Sequence, residues 1–269
     1  ILKADEALCT VPHRGGMSAE GVGDGAGVNV DISLAFFRKL TGLPLQAGRF
    51  GVGNFFVPRE ADGQERAFAL VEDTLAAHDL AVLLRRDVPV NHAAIRPAAI
   101  ASQLPMVQWV FAAPDDLAGT ALEQRIYRAL LAIEARAFTE DAFAGLYPLS
   151  LSSRTQVFKG RLNSNEVIPY FDDLRDPDHA VRDLFFHTRF STNTDPRASM
   201  AQPFRLMAHN GELNTDKKNR LSENAMARAR NRAIIRPPGQ SDSCRLDQTL
   251  ASRVFEDDLD LVTAVVAMM

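Results

Sequence analysis

The sequence has little cysteine. Only Cys9 and Cys244 occur among 269 residues. Two distant cysteines make no disulfide framework, no Cys-x-x-Cys pair and no ligand set for zinc or an iron–sulfur cluster. The six histidines, at 13, 78, 92, 179, 187 and 209, show no His-Glu-x-x-His spacing, so no metal site is expected. No apolar run approaches the length of a membrane span, and no signal peptide opens the chain. The expectation is a reducing, cytoplasmic setting with no membrane partner. A strong excess of charge is also lacking. The formal net charge is −4, which gives no bulk reason to expect nucleic acid. One local exception is MARARNRAIIR (226–236), where Arg228 and Arg232 fall on one helical face and read as solvated. Repeats and low-complexity linkers are missing too.

What is present suits a globular chain. Hydrophobic residues make up 46% and charged residues 24%. The length allows one large domain or two small ones, with an ample core. The chain opens at Ile1 inside a helix-like stretch and closes on an uncapped apolar segment, so both ends look cut. VNVDI, FGVGNFFV, AVLLRRDVPV and MVQWVFAA read as strands. LAFFRKL, ERAFALVEDTLAAHDL and TALEQRIYRALLAIEARAF read as helices, the last being the clearest amphipathic one. LYPLSLSS and TQVFKG look like a hairpin, and DLFFHTRFS and FRLMAHN like two more strands. From Asn214 onward the pattern is mostly helical. Strands cluster and helices cluster, which is α+β rather than steady β–α–β alternation.

Four stretches carry candidate chemistry. GVGDGAG (21–27) lacks the apolar strand of a dinucleotide fingerprint and the Gly-Lys-Ser/Thr of a P-loop, so it reads as a turn where chains pass closely. MAHNGELNT (207–215) holds Asn210–Gly211. An Asn-Gly after a strand is either a hairpin turn or an oxyanion site, with a backbone N–H and the Asn amide as donors. In TRFSTNT (188–194), Arg189 could fork two N–H groups onto a carboxylate with a hydroxyl beside it, or simply lie on the surface by a turn. In PPGQSDSCRLD (237–247), Ser241 or Asp242 sits near a helix cap, and Asp242 could instead hold an ammonium. An Arg for a carboxylate, an Asp for an ammonium and an Asn-Gly for an oxyanion would make an α-amino-acid amide site.

In order, HRGGMSAEGVGDGAG, RRDVPV, LYPLSLSSRTQVFKG, HTRFSTNT, AQPFRLMAHNGELNT and GQSDSCRLD resemble the N-terminal glutaminase domain of glutamate synthase large subunits, a class II (Ntn-type) glutamine amidotransferase. The resemblance covers most of the chain and is looser over 59–104. It implies a four-layer α/β/β/α sandwich of two antiparallel sheets, here a single domain over 1–269. It implies hydrolysis of the glutamine side-chain amide to glutamate and ammonia, with the ammonia passed to 2-oxoglutarate in a later domain. Arg189 matches the carboxylate-binding Arg and Thr192 a hydroxyl beside it. Asn210 and Gly211 match the oxyanion hole, whose loss of one donor typically costs about 3–4 kcal/mol of transition-state stabilisation. Asp242 matches the ammonium-binding acid, and Arg14 an Arg that orients the nucleophile. The partners implied are glutamine, synthase domains of the same polypeptide and an electron-donating small subunit. FMN and an iron–sulfur cluster would belong to later domains, with no cofactor in this segment.

Two departures stand out. The family nucleophile is an N-terminal Cys whose free α-amine is the base, upstream of the helix that leads to HRGG. Here residue 1 is Ile, and Cys9 and Cys244 read as structural thiols. The chain as given is therefore expected to be inactive, and a degenerate, non-catalytic glutamine-binding or structural domain is the alternative. After the Asn-Gly turn, NTDKKNRLSE replaces the hydrophobic-Gly-Asn segment more usual in the family.

Overall fold

The computed structural model describes residues 1–188, 197, 200–211, 216–237 and 240–269. Its helices are α1 (Leu2–Thr10), α2 (Leu34–Thr41), α3 (Ala61–Ala77), α4 (Pro97–Ile100), α5 (Gly119–Ala137), α6 (Val167–Tyr170), α7 (Asp216–Ala229), α8 (Asp242–Phe255) and α9 (Leu261–Met268). Its strands are β1 (Ala26–Asp31), β2 (Phe50–Phe56), β3 (Ala81–Asp87), β4 (Met106–Ala112), β5 (Tyr147–Ser152), β6 (Thr155–Gly160) and β7 (Leu184–His187). They form two sheets, ordered β3-β4-β2-β5 and β6-β1-β7, with every pairing antiparallel. The architecture is α+β, two antiparallel sheets flanked by helices, as the sequence pattern suggests.

Period-two alternation explains why the larger sheet is covered on both faces. On β4, Val107, Trp109 and Phe111 join Phe55 and Leu151 in a core with α3 and α5. That core includes Val71, Leu75, Leu122, Ile126 and Ile133. The alternate residue Met106 joins Phe56, Val28, Val30 and Phe158 in a second cluster that spans both sheets. Gly51 sits opposite Phe111, and a Cβ there would stand 2.3 Å from the Phe111 ring. The bare backbone is what lets that ring lie flat on the strand.

Between the sheets runs a polar spine. Gln108 donates its amide to Asn54 Oδ1 (2.9 Å) and Gln156 Oε1 (3.2 Å), and all three side chains are fully buried. The Gln156 amide nitrogen lies 3.1 Å from His179 Nε2, and His179 Nδ1 lies 2.8 Å from the Asp173 carbonyl. With Gln156 Oε1 taken by Gln108, its NH₂ faces the imidazole. This assigns the neutral ring with its proton on Nδ1. Arg86 closes the spine, donating to Gln108 Oε1 and pairing with Asp173.

LYPLSLSS and TQVFKG are not a paired hairpin. β5 pairs with β2 and β6 with β1, so the chain crosses from one sheet to the other at Ser153–Arg154. Glu123 of α5 holds the crossing, accepting from Ser153 N (2.6 Å) and the Ser152 hydroxyl (3.1 Å). Val157 N donates to the Ser150 hydroxyl instead of to a β5 carbonyl.

FRLMAHN is not a strand either. Its backbone N–H groups at Leu206 and Met207 donate to the Asp247 carboxylate (2.9 and 3.0 Å), which takes the place of a ladder. MARARNRAIIR also departs from expectation. α7 ends at Ala229, so Arg232 lies beyond the helix, half-buried and paired with Glu256. Arg228 is exposed as expected.

Candidate functional site

The first wall of the site is built by HRGG. Pro12 opens a single 3-10 turn, Pro12–Arg14, which ends as Gly15 N donates back to Pro12 O. A Cβ on Gly15 would lie 3.2 Å from both Pro12 O and Thr188 O. The glycine thus lets this turn press against the end of β7. Gly23 and Gly27 do the same further on, since a Cβ at either would strike the backbone of Leu162 or Phe158. The GVGDGAG loop is therefore a close-packing turn, in line with the sequence.

Arg14 and Asn210 line one cleft of about 380 Å³ with Val11, His13, Phe186, His187 and Thr188. Both Arg14 and Asn210 are exposed toward it. Gly211 follows directly. A Cβ there would meet nothing within 4 Å, and its φ lies outside the left-handed region. Among the described residues, no packing requires glycine at 211. A ligand approaching the backbone N–H would require it. The hairpin alternative for Asn-Gly loses its first strand, since among the described residues 204–210 pairs with no β-strand.

Residues 201–209, which lead into the turn, are held by side chains from distant elements. Asn29 of β1 donates to the carbonyls of Phe204 (2.9 Å) and Arg205 (3.2 Å). Lys159 of β6, on the same sheet face by register, donates to Ala201 O (2.7 Å) and lies 5.1 Å from the Phe204 ring centroid. Burial lowers the Lys159 ammonium to about 7, against the opposing pull of Cys244 and Asp247. Arg205 donates to Glu134 of α5 (2.7 Å) and lies 3.8 Å from Asp247. Burial pushes both carboxyls up, and Arg205 pulls them back down.

Asp242 is the first residue of α8, and the cap is Ser241, whose hydroxyl accepts from Cys244 N (3.2 Å). Asp242 is half-buried and does not line the cleft itself. It connects to it through Ser243, whose hydroxyl lies 2.7 Å from His209 Nε2. Arg189 and Thr192 lie outside the described residues. Cys244 is buried, which raises its thiol pKa, and lies 3.7 Å from Tyr147 Oη. Cys9 is exposed on α1.

Motif reading alone did not single out Asn29, Lys159, His209, Ser243 or Asp247. Four of them lie inside the stretches that carry the family resemblance, VFKG, MAHNG and GQSDSCRLD. Asn29 left one faint signal, a polar residue inside the apolar run of β1. Among the described residues, no three His, Cys, Asp or Glu converge as metal ligands. Among them, no helix is long and apolar enough to cross a membrane.

The family model for Glutamine amidotransferases class-II matches residues 1–269. The chain belongs to the class II glutamine amidotransferases. It is 39% identical over 220 residues to Ferredoxin-dependent glutamate synthase 2 of Synechocystis sp., covering 80% of this chain and 14% of that protein. It is 34% identical to the Glutamate synthase [NADPH] large chain of Azospirillum brasilense, covering 81% of this chain and 15% of that one. It is 30% identical to the Glutamate synthase [NADH] of Saccharomyces cerevisiae, covering all of this chain and 14% of the relative. The class II amidotransferase chain thus spans about a seventh of the length of these relatives. With the family goes the Ntn-hydrolase fold type, to which the two antiparallel sheets conform.

Proposed function

We propose that residues 1–269 act as one glutamine-binding domain of a longer glutamate synthase-like polypeptide. In it, Asn210 and Gly211 polarise the side-chain amide carbonyl. Arg189, with Thr192 beside it, takes the α-carboxylate through a forked pair of N–H donors. Asp242 takes the α-ammonium, and Arg14 faces the amide across the cleft. The observation that carries this reading is the meeting of Arg14 and Asn210, from distant parts of the chain, on one open cleft. The unconstrained space at Gly211 supports it.

Hydrolysis to glutamate and ammonia needs a thiol nucleophile with a nearby base. Cys244 is buried with its thiol pKa raised, and the nitrogen of Cys9 is a peptide nitrogen inside α1. This supports a second reading for the segment on its own, binding without turnover. In the longer polypeptide, ammonia release would feed 2-oxoglutarate amination in later synthase domains, with electrons from a partner subunit or ferredoxin-like donor. FMN and an iron–sulfur cluster would belong to those later domains. Two cysteines cannot supply four thiolates, and the glycine loop is packed against Leu162.

The test is calorimetric titration of L-glutamine into the wild type, Arg189→Lys and Asp242→Asn, with circular dichroism to confirm folding. Arg189→Lys keeps the charge but loses the fork, and Asp242→Asn loses the charge, so both weaken binding. Equal affinity in three folded proteins would overturn the assignment. Ammonia release by residues 1–269 should stay at background. Turnover abolished by Cys9→Ser or Cys244→Ser would reveal a working thiol.

A further inference from the structure

Asp242 and the Asn210–Gly211 turn are joined by one short chain of side-chain bonds. His209 immediately precedes the turn. Its backbone N–H donates to Gln202 Oε1 (2.7 Å), and its ring Nε2 lies 2.7 Å from Ser243 Oγ. Ser243 donates twice to Asp242 Oδ1, from its backbone N–H (2.7 Å) and from its hydroxyl (3.2 Å). Among the described residues, Asp242 Oδ2 accepts no hydrogen bond.

A hydroxyl has one proton to give and can accept two. Because a carboxylate only accepts, we assign the Ser243 proton to Asp242, and His209 then donates to Ser243 through Nε2–H. Ser243 is 6% exposed, so water does not compete for these bonds. Nor is the hydroxyl needed to cap α8, because Ser241 already does that. What it does is fix one carboxylate oxygen and leave the other free.

Resting on the glutamine-site reading above, we propose that Ser243 is a positioning residue for α-amino recognition. Its hydroxyl, backed by His209, turns Asp242 so that Oδ2 meets the α-ammonium of the bound amino acid. The same link locks Asp242 to the oxyanion turn. Ligands with an α-ammonium are then selected over isosteres that lack one.

The experiment compares L-glutamine with glutaric acid monoamide, which keeps the carboxylate and amide but has no α-ammonium. Both are titrated into the wild type, Ser243→Ala and His209→Phe, with thermal melts followed by circular dichroism. Losing a buried hydrogen bond to a charged group should weaken L-glutamine about tenfold in Ser243→Ala. The monoamide should change by less than about twofold. His209→Phe breaks the link from the other side and should show the same selective loss, which keeps the test open if Ser243→Ala folds poorly. An equal loss for both ligands would mean a merely structural role and overturn the proposal. So would an unchanged L-glutamine affinity, while the wild-type preference for L-glutamine left the site reading intact. A wild type with no preference for L-glutamine would overturn both.

Discussion

Trp109 and Asp247 are both buried to 2% exposure or less, yet their surroundings are opposites. Trp109 packs edge-on against Phe55 (5.1 Å) and Phe68 (5.8 Å) in the core under α3 and α5. Asp247 sits against a guanidinium and two backbone N–H groups. The sheet core is held by apolar area, which adds up residue by residue and tolerates neighbours of similar shape. Residues 201–209 are anchored by a set of polar partners that works as a set, because removing one leaves another buried and unpaired. The same contrast extends to the helices that follow. Arg230, Arg232, Arg236 and Arg253 each pair with an acid from α7 or the turn that follows α8. The stretch leading to the Asn210–Gly211 turn thus hangs from polar anchors.

The largest effect that sharpens this contrast is expected in the apolar core. Phe55→Ala removes a fully buried ring and should cost about 3–5 kcal/mol of global stability in urea denaturation. In the protein that remains folded, L-glutamine affinity should not change. A change in affinity as large as the change in stability would dissolve the division between the two regions.

Asp247→Asn should have the smaller and more local effect. It keeps a carbonyl acceptor but removes the charge facing Arg205, at a cost of about 1–3 kcal/mol. Hydrogen exchange at Leu206 and Met207 should quicken while exchange in β2 and β4 stays slow. Uniform acceleration across both sheets would show that the two regions unfold as one.

The two regions should also respond to different pH windows. Burial lowers the pKa of His179 between the sheets, against the opposing pull of the Asp173 carbonyl. The unfolded chain therefore takes up a proton below about 6.5 that the folded chain refuses. Stability is full above that pH and falls as pH drops, by at most about 1.4 kcal/mol between 6.5 and 5.5. Lys159, lowered by burial to about 7, acts above neutrality. There the unfolded chain holds the extra proton, so stability rises with pH from about 7 upward. His179→Gln should flatten the acid limb and Lys159→Met the alkaline limb of the denaturation profile. If each variant flattened the other limb, the assignments would be reversed.

The legibility of the sequence follows the same division. β2, β4 and α5 were readable because their apolar residues recur at the period of the element and face one core. FRLMAHN was misread because its apolar residues suggest a strand, while what shapes it comes from far away. Asn29 reaches it from 175 residues upstream and Asp247 from 40 residues downstream. No local pattern encodes such partners. The sheet crossing at Ser153 was hidden for the same reason, since Glu123 holds it from another element. For the site, Arg14, Asn210 and Asp242 come from the motif resemblance, and the structure brings Arg14 and Asn210 to one cleft. The contacts that join His209, Ser243 and Asp242 are visible only in the distances. Arg189 and Thr192 remain expectations of the motif.

The central claim is that glutamine binds at the Asn210–Gly211 turn, and amide-resolved nuclear magnetic resonance tests it most directly. Titrating L-glutamine into the ¹⁵N-labelled protein should shift the Gly211 backbone amide and the Asn210 side-chain amide. Arg14, His187, His209 and Ser243 should move with them, and Asp242→Asn should abolish the shifts at the same ligand concentration. Shifts centred on residues 21–27, with Asn210 and Gly211 unmoved at saturation, would contradict the account.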